Sequence, residues 1–138
     1  MSKDELVRRI KQIIANLRAG NFEEVYAGYL ELFSDPGFLQ LRPEDQRQAL
    51  RLMVNAKSPT PKPSQTMLDA HRSAVLPLTE LVSVHDDPGD YEMLGICHLL
   101  LGNVESAARM YRAGLAIERI RNPQSDLCGT LMRRVAEL

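Results

Sequence analysis

Between Tyr91 and Tyr111 the chain sets small residues at the places where two facing helices have to touch. Gly95 follows Tyr91 by one helical turn, Ala107 precedes Tyr111 by another, and Gly102-Asn103 stands between them. A glycine reaches positive φ without strain and so closes a helix, and an asparagine after it opens the next. Small residues on either side of so tight a turn predict a helical hairpin whose two helices approach closely. The first of these helices, about residues 90 to 101, is apolar nearly all round through Met93, Leu94, Ile96, Cys97, Leu99, Leu100 and Leu101, the pattern of a central helix.

Tyr91, Leu94, Gly95, His98, Ala107 and Tyr111 fall in the six slots of the pattern W-x2-L-G-x2-Y…A-x3-F, and the segment resembles a tetratricopeptide repeat. Tyr91 replaces Trp, His98 replaces Tyr, and Arg119 stands where the terminal proline is usual. Pro123 follows four residues later, which lengthens the second helix by about one turn. The resemblance implies a surface offered to another polypeptide and no chemistry of its own.

The remaining segments carry helical periodicity as well. Ser2 and Glu5 have the spacing of a capping box, and Leu6, Val7, Ile10, Ile13, Ile14 and Leu17 then mark one face of a helix over about residues 3 to 18. Gly20-Asn21 leads into a second helix with Phe22, Val25, Tyr26, Tyr29, Leu32 and Phe33 as its buried face, ended by Asp35-Pro36-Gly37. Pro43 opens a third helix, with Glu44 and Asp45 at its N-terminal dipole and Ala49, Leu50, Met53 and Val54 on its apolar face.

Prolines 59, 61 and 63 exclude a helix and predict an extended surface connector. Ser64 then caps a fourth helix that runs toward Asp86-Asp87-Pro88-Gly89 with a kink at Pro77. A sixth helix from Asn103 buries Val104, Ala107, Ala108, Tyr111, Gly114 and Leu115 and turns Arg109, Arg112 and Glu118 outward, and Ser125 caps a seventh.

Gly20-Asn21 followed by Val25 and Tyr29 parallels Gly102-Asn103 followed by Ala107 and Tyr111. The two turns lie 82 residues apart, against about 68 for two standard repeats, so the middle hairpin is enlarged where the proline-rich loop and long fourth helix fall. The expected fold is all-α, a single domain over residues 1–138: a right-handed stack of about three antiparallel hairpins, with a C-terminal helix covering the otherwise exposed apolar end.

Composition narrows the function. A formal net charge of −1 weighs against an electrostatically driven nucleic-acid or membrane binder, and no apolar run approaches the length of a membrane helix. Met1-Ser-Lys-Asp-Glu has none of the apolar block of a secretory signal, so cytoplasmic residence is expected. Cys97 and Cys128 sit in apolar stripes and read as core thiols. His71, His85 and His98 lack metal-site spacing, and His98, in an aromatic packing slot, reads as a satisfied, partly buried histidine. Asp86-Asp87 beside Pro88-Gly89 reads as a solvated helix terminus.

With neither a phosphate loop nor a nucleophile beside a base, the expectation is a protein that is not an enzyme and needs no cofactor or metal. The tetratricopeptide resemblance implies that the first helix of each hairpin lines a concave surface, and on the fifth helix it places Glu92, Ile96 and Leu99 toward a partner protein or peptide. These residues do not supply the Lys, Asn and Arg with which related modules grip a C-terminal carboxylate. A mostly apolar groove suits an amphipathic helix or extended apolar peptide, the work of an adaptor or small chaperone. The alternative is self-association as a homodimer. Arg109, Arg112, Arg119, Arg121, Arg133 and Arg134 form a basic end that suits nucleic acid or an acidic partner, though solvated helix faces explain it equally well.

Overall fold

Seven α-helices and no strand make up a computed structural model that describes residues 1–138. They are α1 (Lys3–Arg18), α2 (Phe22–Ser34), α3 (Pro43–Val54), α4 (Gln65–Val84), α5 (Pro88–Leu100), α6 (Val104–Arg121) and α7 (Asp126–Ala136). A short 3-10 helix, Pro36–Gln40, follows α2. The residues gather into two compact units, Met1–Pro77 and Leu78–Leu138, and α4 contributes to both.

The two Gly-Asn turns share one backbone design. Gly20 and Gly102 hold φ at 77° and 84°, the only positive values in the chain. Each glycine N–H donates to the carbonyl three residues back, Leu17 or Leu99, at 3.1 Å. The asparagine N–H reaches one residue further, from Asn21 to Asn16 at 2.9 Å and from Asn103 to His98 at 2.8 Å. This crossed pair is the Schellman closure, which satisfies carbonyls the helix end leaves open. Neither asparagine side chain caps the following helix; its main-chain carbonyl instead receives the first helical bond, from Val25 or Ala107. Each asparagine thus belongs to the end of one helix and the start of the next.

In the first unit α1 and α2 form a hairpin around Gly28, where an added Cβ would lie 2.8 Å from Ile13 Cγ1. Val25, Tyr26, Tyr29, Leu32 and Phe33 of α2 are buried. Phe22, expected on the same face, is 40% exposed, because it opens α2 beside the turn, where α1 has already ended. The 3-10 helix, absent from the periodicity, exists to bury Phe38 edge-on against Phe33, whose ring stacks on Tyr29 at 5.7 Å between centroids. Asp35 starts it by accepting the Gly37 N–H at 2.8 Å, and Arg9 spans Glu5 and Asp35 at 3.1 and 3.0 Å. Ser2 accepts the Glu5 N–H at 3.1 Å as expected, but the Glu5 carboxylate turns to Arg9 rather than completing the capping box. Buried Gln46 donates to the carbonyls of Leu39 and Leu41, fixing the entry to α3.

In the second unit α5, α6 and α7 pack together around Ala107, Tyr111, Leu115, Cys128 and Leu131. Asp87 caps α5 through the Gly89 N–H at 2.8 Å, which gives the expected helix terminus a specific task. Gly95 lies under the Tyr111 ring, and Gly114 lies against Tyr91, whose Cβ would be 3.0 Å from a Cβ placed there. Val104, like Phe22, is exposed as the first residue of its helix. Glu118, expected outward, is only 6% exposed. Its two carboxylate oxygens accept from Asn122 at 3.2 Å and from Ser125 at 2.9 Å, and Ser125 also caps α7 through the Cys128 N–H. A buried carboxylate provided with donors in this way links the end of α6 to the start of α7.

Candidate interaction surface

Glu92, Ile96 and Leu99 share one face of α5, the first two partly buried and the last exposed. At the N-terminal end Glu92 accepts from Arg134 Nε of α7 at 2.9 Å. The same guanidinium lies over the Tyr111 ring, 5.8 Å from its centroid, so one cation serves a carboxylate and an aromatic face together. Ile96, half-buried, packs against the core shared by α6 and α7. Leu99, near the C-terminal end of the helix, is 42% exposed. The structure therefore joins Glu92 and Ile96 to the interior of the second unit and leaves Leu99 open.

Two buried polar atoms behind this face lack a hydrogen-bond partner, the Tyr111 hydroxyl and His98 Nδ1. Burial raises the Tyr111 phenol above its ordinary range, and the Arg134 charge partly offsets the effect. His98 is half-buried as expected, but it is not satisfied: α5 carries it to the helix end, where no acceptor or donor meets Nδ1. Burial lowers its pKa, and the Arg109 charge lowers it further. His71, in the first unit, differs because its Nδ1 donates to the Met67 carbonyl at 2.8 Å, which fixes the tautomer.

The arginines of the C-terminal stretch do not act as one free patch. Arg121 donates to the Asp86 carbonyl at 2.8 Å, Arg134 is held by Glu92, and Arg109 donates to Ser106 at 3.1 Å. Arg112, Arg119 and Arg133 remain exposed. Both cysteines are free and buried, and burial pushes the Cys97 thiol up to about 12. No group of three or more His, Cys, Asp or Glu side chains is placed to hold a metal ion. No helix is long and apolar enough to cross a membrane.

The Arg134 contribution was hidden in the sequence because Glu92 and Arg134 lie 42 residues apart, beyond any helical spacing. Compared with family models, curated proteins and solved structures, the chain matches none of them.

Proposed function

We propose that the chain is a non-catalytic protein-binding module, an adaptor or small chaperone, built as a right-handed stack of hairpins similar to tetratricopeptide domains and working in the cytoplasm. The observation that carries this reading is the recurrence of one Gly-Asn turn, with matching φ and matching crossed hydrogen bonds, at Gly20 and Gly102. The fit of Gly95 under Tyr111 supports it, since these are the glycine and aromatic slots of the pattern. On this reading the partner meets the open end of the α5 face, with Leu99 as the apolar anchor, Ile96 behind it and Glu92 in the ion pair at the far end.

The test is a photo-crosslinking residue at position 99, activated in the native cell and followed by mass spectrometry of the captured product. A single adduct whose yield falls when the unaltered chain competes but not when the Leu99→Ala chain does, with the circular dichroism of that variant unchanged, supports the reading. Crosslinks only to a second copy of the chain favour the homodimer instead. An adduct no different from that formed at exposed Arg112 removes α5 from the interface.

A further inference from the structure

A different surface lies in the first unit, along α1. Val7, Ile10, Ile14 and Leu17 follow one another at spacings of three, four and three residues, the a and d positions of a heptad. Leu6 and Ile13, on the neighbouring flank, are the residues that α1 buries in its own fold. The row itself is left uncovered: Val7 and Leu17 are 40% and 48% exposed, and Ile10 and Ile14 are half-buried. The cause is the length of α3. Lys3 meets Asp45 at 3.4 Å, and α3 has nine residues after Asp45 whereas α1 has fifteen after Lys3, so α1 outruns it.

The charges beside the row single out its occupant. Asp4, Lys11 and Arg18 stand seven residues apart on the other flank, all exposed, and none forms an ion pair within the chain. A helix laid on the row therefore meets charge on one flank alone, negative at one end and positive at the other. In a twofold antiparallel pair that flank faces its own copy. Asp4 then opposes Arg18 of the second copy, twice over, while Val7 meets Leu17 and Ile10 meets Ile14 across the axis. A parallel copy would set Asp4 against Asp4 and Arg18 against Arg18. Lys11 falls beside the axis, near its own counterpart; this is the one like-charge contact, and the long stem lets each ammonium turn to water.

We propose that α1 pairs with α1 of a second copy of the chain, antiparallel about a twofold axis between Ile10 and Ile14. The contact is short, so the pair is reversible rather than permanent. It leaves the α5 face free and stands whether or not a partner docks there.

Sedimentation equilibrium of the full chain over rising concentration tests the pairing. A monomer–dimer equilibrium is expected. Leu17→Ala, which removes an exposed side chain and leaves circular dichroism native, weakens it about fivefold or more. Asp4→Arg and Arg18→Asp each set like charges together and weaken it about as much. Mixed in equal amounts, these two variants associate as tightly as the unaltered chain, because every facing pair is again opposite in sign. Lys11→Gln tightens the dimer by relieving the contact at the axis, whereas Met132→Ala on α7 leaves it unchanged. A monomer at every concentration overturns the proposal, as does a dimer indifferent to Leu17→Ala or one that Leu99→Ala abolishes. Two weakened charge variants that stay apart when mixed also overturn it, since their loss then comes from something other than facing pairs.

Discussion

The ring of Tyr111 occupies the space that a side chain at Gly95 would need: a Cβ built on Gly95 falls 2.6 Å from Tyr111 Cδ1. Alanine favours a helix over glycine by about 1 kcal/mol, but overpacking a buried site costs about 1–3 kcal/mol. Because Tyr111 is fully buried, the steric cost wins, and Gly95→Ala lowers stability by up to about 2 kcal/mol. Denaturant unfolding of Gly95→Ala with Tyr111→Leu checks the cause, since the alanine penalty vanishes once the ring is gone. Ala107→Leu, at a site with no exposure, overpacks in the same way. Gly129 is the contrast: nothing lies within 4 Å of its added Cβ, so Gly129→Ala stabilises by about 0.5–1 kcal/mol.

Arg134→Ala removes an ion pair and a cation–π contact together and leaves Glu92, with a side chain 14% exposed, lacking its cation. The expected loss is about 1–2 kcal/mol, more than an exposed pair gives because the carboxylate is largely desolvated. A double-mutant cycle with Glu92→Gln measures the coupling. Coupling within error of zero means that Arg134 acts on Tyr111 alone.

Stability falls in mild acid. Burial depresses His71 and His98 below the ordinary value of 6.5, so the folded chain keeps them neutral while the unfolded chain takes up protons. The contribution is intact above about 6.5 and is lost as pH falls through the lowered folded values. Urea midpoints measured from neutral pH down through this window decrease. His71→Asn, which keeps an amide donor near the Met67 carbonyl, flattens the first-unit part of that slope.

Cys97 and Cys128 resist alkylation in the native state. Both thiols are buried, and with Cys97 raised to about 12 its reactive thiolate is scarce at neutral pH. Mass spectrometry after iodoacetamide treatment shows both thiols unmodified until denaturant is added. Modification of either one in the folded protein reveals local opening at that helix.

The proline-rich connector tolerates replacement if its last residue is kept. Residues 57–62 are exposed, whereas Ser64 accepts the Met67 N–H at 3.2 Å and begins α4. The hydroxyls of Thr66 and Ser64 also hold the Glu23 carboxylate below its usual range. A Gly/Ser segment over 58–63 costs at most about 1 kcal/mol per proline lost, acting through the unfolded chain. Changing Ser64 as well adds a cap loss of about 1 kcal/mol. Thermal midpoints of the two replacements separate these effects.

Helix positions were legible because Gly20, Gly102, Pro43 and Ser125 punctuate the chain locally, and their neighbours repeat at helical spacing. Side-chain roles fixed by partners far along the chain were not. Periodicity puts Glu118 outward, yet Asn122 and Ser125 draw its carboxylate in. Phe22 and Val104 follow the apolar period but stand at helix starts, where burial depends on what lies beyond the turn. The α5 stripe was visible as a row, while its covering at Glu92 depended on Arg134. Val7 belongs to the periodic apolar row of α1 and is nevertheless 40% exposed.

A turn that spends one residue both finishing one helix and starting the next has no slack. Asn21 and Asn103 each do so, which locks the rotational phase of α2 to α1 and of α6 to α5. One residue inserted after either glycine would turn the following helix by about 100° about its axis. In the second hairpin that rotation would carry Tyr111 away from Gly95 and bring the unbranched, non-aromatic Met110 into its place. Lengths can drift in the connector at 58–63, where nothing is phased, but the two Gly-Asn turns act as keyed couplings that admit substitution more readily than insertion.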